Sequence, residues 1–263
     1  MHPPADLMIH PTAIVHPAAE LGANVSIGAY SVIGEHVVLG EDTWVGPHVV
    51  IEGRTRIGAQ NRIFQFCSLG AVPQDKKYSG EPTELQIGDR NTVREFCSIN
   101  CGTAQDAGVT RLGNDNWIMA SVHIAHDCQI GNLTQFANNA TLAGHVHVGD
   151  YAILGGFTGV HQFVHIGAHS FTAIATVLVH DLPPYVMAAG DTAKAYGINA
   201  EGLRRRGFSP ESLAAIKHAY KTLYKSGLTL DQAREQLAEQ ARTRSEIAPL
   251  AEFLQGSTRG IVR

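Results

Sequence analysis

From residue 9 to residue 166 nearly every sixth residue of this chain is a large aliphatic one. The column begins at Ile9 and runs Val15, Leu21, Ile27, Ile33, Leu39, Val45, Ile51, Ile57, Ile63 and Leu69, then returns in phase at Ile87, Val93 and Ile99. After a slip of one residue it resumes at Leu112 and continues Ile118, Ile124, Ile130, Phe136, Leu142, Val148, Leu154, Val160 and Ile166. A second column, four residues behind the first, holds small or β-branched residues: Val25, Ser31, Val37, Thr43 and Val49, and later Val122, Cys128, Thr134, Ala140 and Val146. An α-helix, with about 3.6 residues per turn, cannot keep a six-residue period on one face. A solenoid of very short strands can. In such a solenoid the large aliphatic points inward and the small residue fills the room beside the turn. The glycine that often follows the aliphatic, as at Gly22, Gly28, Gly34 and Gly40, is expected to ease the tight corner. Three hexads then close one triangular coil, and the chain reads as a β-helix.

Composition agrees. The 263 residues include 27 glycines and only 7% aromatics, which suits many turns around a thin core. Charged residues make up 17% and the net charge is −4, so the basic footprint of a nucleic-acid binder is absent. No stretch approaches the roughly 20 apolar residues of a membrane span. The opening "MHPPADLMIHP" lacks the apolar run of a signal peptide. The four cysteines form no C-x-x-C pair, and a reduced, cytoplasmic compartment is expected. Cys67, Cys97 and Cys128 fall in the small inward column and read as packing; Cys101 lies outside it.

The beat is interrupted twice. Residues 71–86, "AVPQDKKYSGEPTELQ", lose the aliphatic column, and residues 101–111, "CGTAQDAGVTR", cause the slip. Both read as loops thrown out from a rigid coil, where function concentrates. After about Pro183 the beat ends. Ser209 as N-cap with Pro210 in the first turn predicts a helix whose apolar face is Leu213, Ile216, Tyr220 and Leu223, stopped by Gly227. Thr229 and Gln232 predict a capping box for a second helix, and "SEIAPLAEFLQ" a third. The expected organisation is a β-helix domain over residues 1–190 and a helical domain over 191–263.

Histidine is abundant, with 14 residues. In "HIAHDC", His126 stands two residues after the inward Ile124, so it projects outward. His123, His145 and His161 occur on neighbouring hexads, and the residue one coil above His126 is Gly144. The bland reading is four solvated surface histidines. A second is a zinc site of the kind seen in the gamma carbonic anhydrases, although nothing in the spacing of His123 and His126 makes them converge. A third is acid–base catalysis, with Asp127 orienting or charge-stabilising an imidazole and the Gly144 N–H free to stabilise an oxyanion. Arg204, Arg205 and Arg206 form a local cationic patch suited to phosphate.

These residues carry a resemblance. "HIAHDC", "NNATLAGHV", "VHQF", "PQDKKYSGEPT", "DLPPYV", "NAEGLRRRGFS" and "STRGIVR" closely resemble the UDP-N-acetylglucosamine O-acyltransferases over the whole chain. The resemblance implies a left-handed parallel β-helix with a C-terminal helical domain, a homotrimer with active sites between subunits, and no cofactor or metal. It implies transfer of a 3-hydroxyacyl group from acyl carrier protein to the 3-hydroxyl of UDP-N-acetylglucosamine, the first step of lipid A synthesis. It makes His126 the general base, Asp127 its partner and Gly144 the oxyanion donor. Asp75, Lys77, His123, His145 and His161 match sugar-pocket and pocket-wall positions. Gln162, Asn199, Glu201, Arg205 and Arg206 match contacts to the nucleotide or to the carrier's phosphopantetheine, and Ile174 matches the ruler that ends the acyl groove. One departure is that Asn100 and Cys101 stand where the family often has histidine and arginine. Two rival readings are the N-acyltransferase of the same pathway, which carries an extra N-terminal domain, and the zinc hydratase.

Overall fold

The computed structural model describes residues 9–263. The signal-peptide reading and the expected start of the β-helix at residue 1 fall on residues 1–8 and lie outside that range. The aliphatic beat becomes a set of strands mostly two residues long, each carrying one inward residue of the first column, as in Ile14–Val15, Val32–Ile33 and Val50–Ile51. They stack parallel and in register, Val15 on Ile33 and Ile33 on Ile51, so one coil is 18 residues. Three walls of nine, eight and ten strands result. The first wall includes His123–Ile124 and Thr141–Leu142; the second includes His147–Val148 and His165–Ile166; the third includes Ile153–Leu154 and Phe171–Thr172. Together they form a left-handed parallel β-helix.

The core is the two inward columns. Ile27, Ile51, Leu69, Ile118, Ile124 and Phe136 are fully buried, as are Thr43, Thr134 and Ala140 from the small column. A fully buried aliphatic side chain of this size contributes about 1.5–3 kcal/mol. All four cysteines are buried and unpaired, Cys101 included. Burial pushes the Cys101 thiol up to about 11 and that of Cys128 up to about 12, so neither of these two is poised as a thiolate.

The expected role of the glycines needs correction. Gly22, Gly28, Gly34 and Gly40 do not adopt the left-handed turn conformation. That is taken by the residue three after the aliphatic: Asn24, Tyr30, Asp42, His48, Asp127 and His145, at φ of 56–61°. The glycines serve close approach instead. A Cβ on Gly28 would stand 2.5 Å from the Pro47 nitrogen of the next coil.

Both interruptions are shorter than the lost beat suggests. Glu84–Ile87 and Val109–Leu112 already belong to the second wall, with Leu85 buried two residues before Ile87. The excursions proper are residues 72–83 and 101–108. At the other end the third wall continues past Pro183 through Val186–Ala189, which pairs antiparallel with Lys194–Ile198. The helices follow: α1 (Ala200–Arg205), α2 (Pro210–Tyr224), α3 (Leu230–Ala241) and α4 (Ala248–Gly256). Ser209 caps α2, and Thr229 with Gln232 forms the capping box of α3. The short α1, capped by Asn199, precedes the first helix expected from the sequence. The chain end returns to the coil: Ile261 bridges to Asp181, and Ser257 Oγ donates to the Asp181 carboxylate at 2.7 Å. No helix among the described residues is long and apolar enough to cross a membrane.

Candidate active site

The corner between the first and second walls is built from the turns at residues 124–128, 142–146 and 160–164. Asp127 holds φ 59°, and its side chain is covered by the 101–108 loop, leaving the residue 1% exposed. Three hydrogen bonds from Thr103 reach its carboxylate: the backbone N–H at 2.9 and 3.0 Å to the two oxygens, and the hydroxyl at 2.6 Å. The backbone N–H of Asp127 donates to Thr110 Oγ1 at 2.8 Å. A carboxylate loaded with donors acts as an acceptor. The His126 Nδ1, 2.9 Å from Asp127 Oδ2, is therefore the donor of that pair, which leaves the Nε2 lone pair facing away.

The expectation that His126 projects outward holds for direction only. The imidazole stands off the inward columns but is 8% exposed, because it lies where Gly144 has no side chain. A Cβ on Gly144 would sit 2.4 Å from His126 Cε1. No acceptor among the described residues takes the Gly144 N–H. His145 closes the other side, edge-on to His126 with centroids 5.0 Å apart. Its Nδ1 donates to Asp106 Oδ2 at 2.7 Å, its Nε2 stands 3.8 Å from Asp127 Oδ2, and its ring stacks on Phe163 at 4.4 Å. The imidazole beside Asp106 holds that carboxyl below its usual range.

The remaining expected residues are not all brought together. His123 is half-buried beside this corner and hydrogen-bonded to Ser98 Oγ at 2.7 Å; burial first, then neighbouring His126, lowers its imidazole. His161 lies at the same corner but is exposed, 3.4 Å from Arg259 and hydrogen-bonded to the carbonyl of half-buried Gln162. Asp75 and Lys77 sit in the 72–83 excursion, where Asp75 accepts from the Lys77 N–H. Asn199, Glu201, Arg205 and Arg206 belong to a different corner, between the second and third walls. Asn199 caps α1 and donates to the His169 carbonyl at 3.0 Å. Glu201 pairs with both Arg204 and Arg205 on the exposed face of α1, while Arg206 folds over the Tyr151 ring and donates to its carbonyl at 3.0 Å. The three arginines therefore do not form one patch. Ile174 stands 71% exposed at the third corner, one coil above Gly156.

Thr103 and Asp106 are site residues that periodicity does not reveal, since both lie in the aperiodic loop; the "GT" at 102–103 is the only local signal. The departing pair is engaged within the fold: Asn100 donates to the Val72 carbonyl and Cys101 to the Gly70 carbonyl, tying the base of each excursion to a neighbouring strand.

Ligand atoms of His126, Asp127 and His145 lie within 4.8 Å of one another, close enough to hold a metal ion. The donor set is already engaged, however. The His126 Nδ1 and Asp127 Oδ2 are spent on each other, and the same carboxylate is saturated by Thr103. The arrangement suits a base whose free nitrogen faces a reactant better than a metal cage.

Comparison with known proteins agrees. Residues 181–262 match the family model described as UDP-N-acetylglucosamine O-acyltransferase, domain 2, and residues 110–144 match the bacterial transferase hexapeptide repeat. The chain is 62% identical to the acyl-[acyl-carrier-protein]–UDP-N-acetylglucosamine O-acyltransferase of Albidiferax ferrireducens, over 78% of this chain and 80% of the relative. It is 60% identical to the one of Thiobacillus denitrificans, over 78% and 79%. The solved UDP-N-acetylglucosamine acyltransferase of Francisella novicida superposes with a TM-score of 0.96 at 45% identity, covering 97% of this chain and 94% of that one. That of Moraxella catarrhalis gives 0.95 at 44%, covering 98% and 100%. At these identities and coverages, in sequence and in shape, the chain belongs to the UDP-N-acetylglucosamine O-acyltransferase family.

Proposed function

We propose that this chain transfers a 3-hydroxyacyl group from acyl carrier protein to the 3-hydroxyl of UDP-N-acetylglucosamine, as the first step of lipid A synthesis in the cytoplasm. Family membership gives the reaction class, and the observation that carries the mechanism is the His126–Asp127 pair clamped by Thr103 over Gly144. A sugar hydroxyl is a weak nucleophile and needs a base at the moment of attack. His126 Nε2 takes the hydroxyl proton while the oxygen adds to the thioester carbonyl. The Gly144 N–H receives the developing oxyanion; one such donor stabilises by about 3–4 kcal/mol. Collapse breaks the C–S bond, and the imidazolium returns its proton to the departing thiolate, so no covalent enzyme intermediate and no cofactor enter. Asp127 stabilises the imidazolium between the two steps.

Substrate contacts fall to the residues around this corner and to the neighbouring copies. His123, His145, His161, Asp75 and Lys77 form the sugar pocket and its walls. Gln162, Asn199, Glu201, Arg205 and Arg206 contact nucleotide or phosphopantetheine. Within one chain these occupy different corners, so a complete site requires a homotrimer in which one subunit's corner faces another's. Ile174 ends the acyl groove. It lies 48 residues beyond His126 in sequence, about 2.7 coils, hence roughly 13 Å along the axis at about 4.8 Å per coil. At about 1.25 Å per carbon that groove accepts about ten carbons, so a 3-hydroxydecanoyl donor is preferred over 3-hydroxymyristoyl. The test is an acyl-transfer assay with UDP-N-acetylglucosamine and acyl carrier proteins of both chain lengths, with sedimentation of the active species. No transfer to the sugar nucleotide, or a stable active monomer, would refute the reading.

A further inference from the structure

The 101–108 loop touches the catalytic corner at two points, and only one of them has a ready explanation. Thr103 saturates the Asp127 carboxylate and thereby orients His126. Asp106, three residues on, reaches past that pair to His145. His145 is 8% exposed, although it sits at a corner position where Tyr30, Phe66, Phe96 and Phe157 are more than half-exposed or at the edge of it. Four contacts confine its ring: Phe163 on one face, the His126 edge, the Asp127 carboxylate 3.8 Å from Nε2, and Asp106 at 2.7 Å on Nδ1. Of these, Asp106 alone is a direct hydrogen bond. The final torsion of a histidine side chain is broad and roughly two-fold. Stacking on Phe163 fixes the ring plane but not which nitrogen points inward. An acceptor on Nδ1 decides that.

We infer that Asp106 is a positioning residue for acyl transfer. By accepting the His145 Nδ1–H it holds the His145 edge against His126, and so fixes the plane in which the His126 Nε2 meets the sugar hydroxyl. His126 has only its bond to Asp127 on one side and the bare Gly144 on the other, so His145 is the wall that stops its ring from tilting. The Asp106 side chain is 46% exposed, and its other contacts leave the β-helix core untouched. A purely structural role would thus appear in stability or not at all. This inference rests on the acyltransfer reading above, and its readouts separate the two.

The experiment compares full-length wild type with Asp106→Ala and Asp106→Glu, using steady-state acyl transfer, thermal melting and imidazole ¹⁵N NMR of histidine-labelled protein. Removing an outer partner of a reacting group typically costs about tenfold or more. Asp106→Ala is expected to lower kcat about tenfold, with KM for both substrates within about twofold and the melting temperature within a degree or two. Asp106→Glu, which keeps the acceptor on one more methylene, recovers most of that loss. The His145 Nδ1 resonance reports a protonated, hydrogen-bonded nitrogen in wild type and Asp106→Glu, and shifts in Asp106→Ala. Unchanged kcat in Asp106→Ala, a rise in KM alone, or a His145 resonance indifferent to the substitution would each overturn the inference. A wild type that transfers no acyl group would instead sink the acyltransfer reading, and the NMR comparison would still decide whether Asp106 holds His145.

Discussion

His145 and His169 occupy the same left-handed turn position on different corners of successive coils, at φ 61° and 59°, and their surroundings are opposite. Each lies flat on an aromatic ring, His145 on Phe163 at 4.4 Å and His169 on Tyr151 at 4.6 Å. Above His145 the 101–108 loop brings Asp106, with Asp127 below, so the ring is bracketed by carboxylates. Above His169 the turn after α1 brings Arg206 and the edge of Phe208, and its Nδ1 is buried without a partner. Burial, helped by the Arg206 guanidinium, lowers the His169 imidazole to about 4. The coil supplies one turn to every corner. What covers the turn decides whether a histidine there joins a hydrogen-bonded carboxylate network or packs as a neutral ring under the helices.

The comparison breaks first at His126. His126→Ala should lower kcat by at least about 100-fold, whereas His169→Phe, which keeps the stack, should leave kcat within about twofold. Because His126 is covered, its loss should also cost about 1 kcal/mol in a denaturant melt, rather than nothing. Equal losses of activity in the two variants would show that the corners are not functionally distinct.

Gly144→Ala sharpens the same point. The atoms nearest the added methyl all belong to the His126 ring, a side chain rather than backbone, so the ring is expected to move while the coil stays. A displacement of about 1 Å in a reacting group costs on the order of 100-fold, and kcat should fall by 10- to 100-fold with little change in melting. Gly28→Ala is the counterpart, since its methyl meets backbone on the next coil. It should melt several degrees lower, with kcat near wild type. A Gly144→Ala enzyme of normal turnover would mean that the ring is not held where it reacts.

Ile174 tests the third, uncovered corner. Ile174→Gly should move the preference between 3-hydroxydecanoyl and 3-hydroxymyristoyl donors toward the longer chain by about tenfold, since pocket methylenes are worth about 1–3 kcal/mol. Competition between the two donors measures it; unchanged selectivity would make Ile174 a packing residue only.

The smallest effect concerns pH. The folded state depresses the His169 imidazole from 6.5 to about 4. As pH falls the unfolded chain therefore takes up the proton first, so His169 contributes stability that is present above about 6.5 and lost as pH falls toward 4. Melting at pH 7.5 and 5.0 should show wild type losing a few degrees more than His169→Phe. Equal losses in the two proteins would place the acid sensitivity elsewhere.

Much of this architecture was legible from spacing. The inward residues, the caps of α2 and α3 and the candidate dyad all follow from period and local motif, because strand burial and helix capping act within a few residues. What escaped was aperiodic or long-range. α1 is a single turn and a half with no repeating apolar face, so only its Asn199 cap marks it. The corner glycines were assigned the wrong task, since sequence cannot tell a residue that needs positive φ from one that needs the absence of a Cβ. The cationic run Arg204–Arg206 looked like a patch, but helical geometry sends its members to Glu201 and to Tyr151.

By itself the sequence determined which residues point inward and that the chain coils. A six-residue period admits few ways to bury its aliphatic column, and 18-residue stacking satisfies the backbone at the same time. It also determined that His126 and Asp127 are adjacent and outward. Only the tertiary structure decided that the pair is buried and oriented, through Thr103, 24 residues from Asp127, and through Asp106, 39 residues from His145. Those contacts come from a loop that carries no period. Nothing in local spacing specifies where such a loop folds back; its place is set by the contacts it makes there, Thr103 to Asp127 and Asp106 to His145.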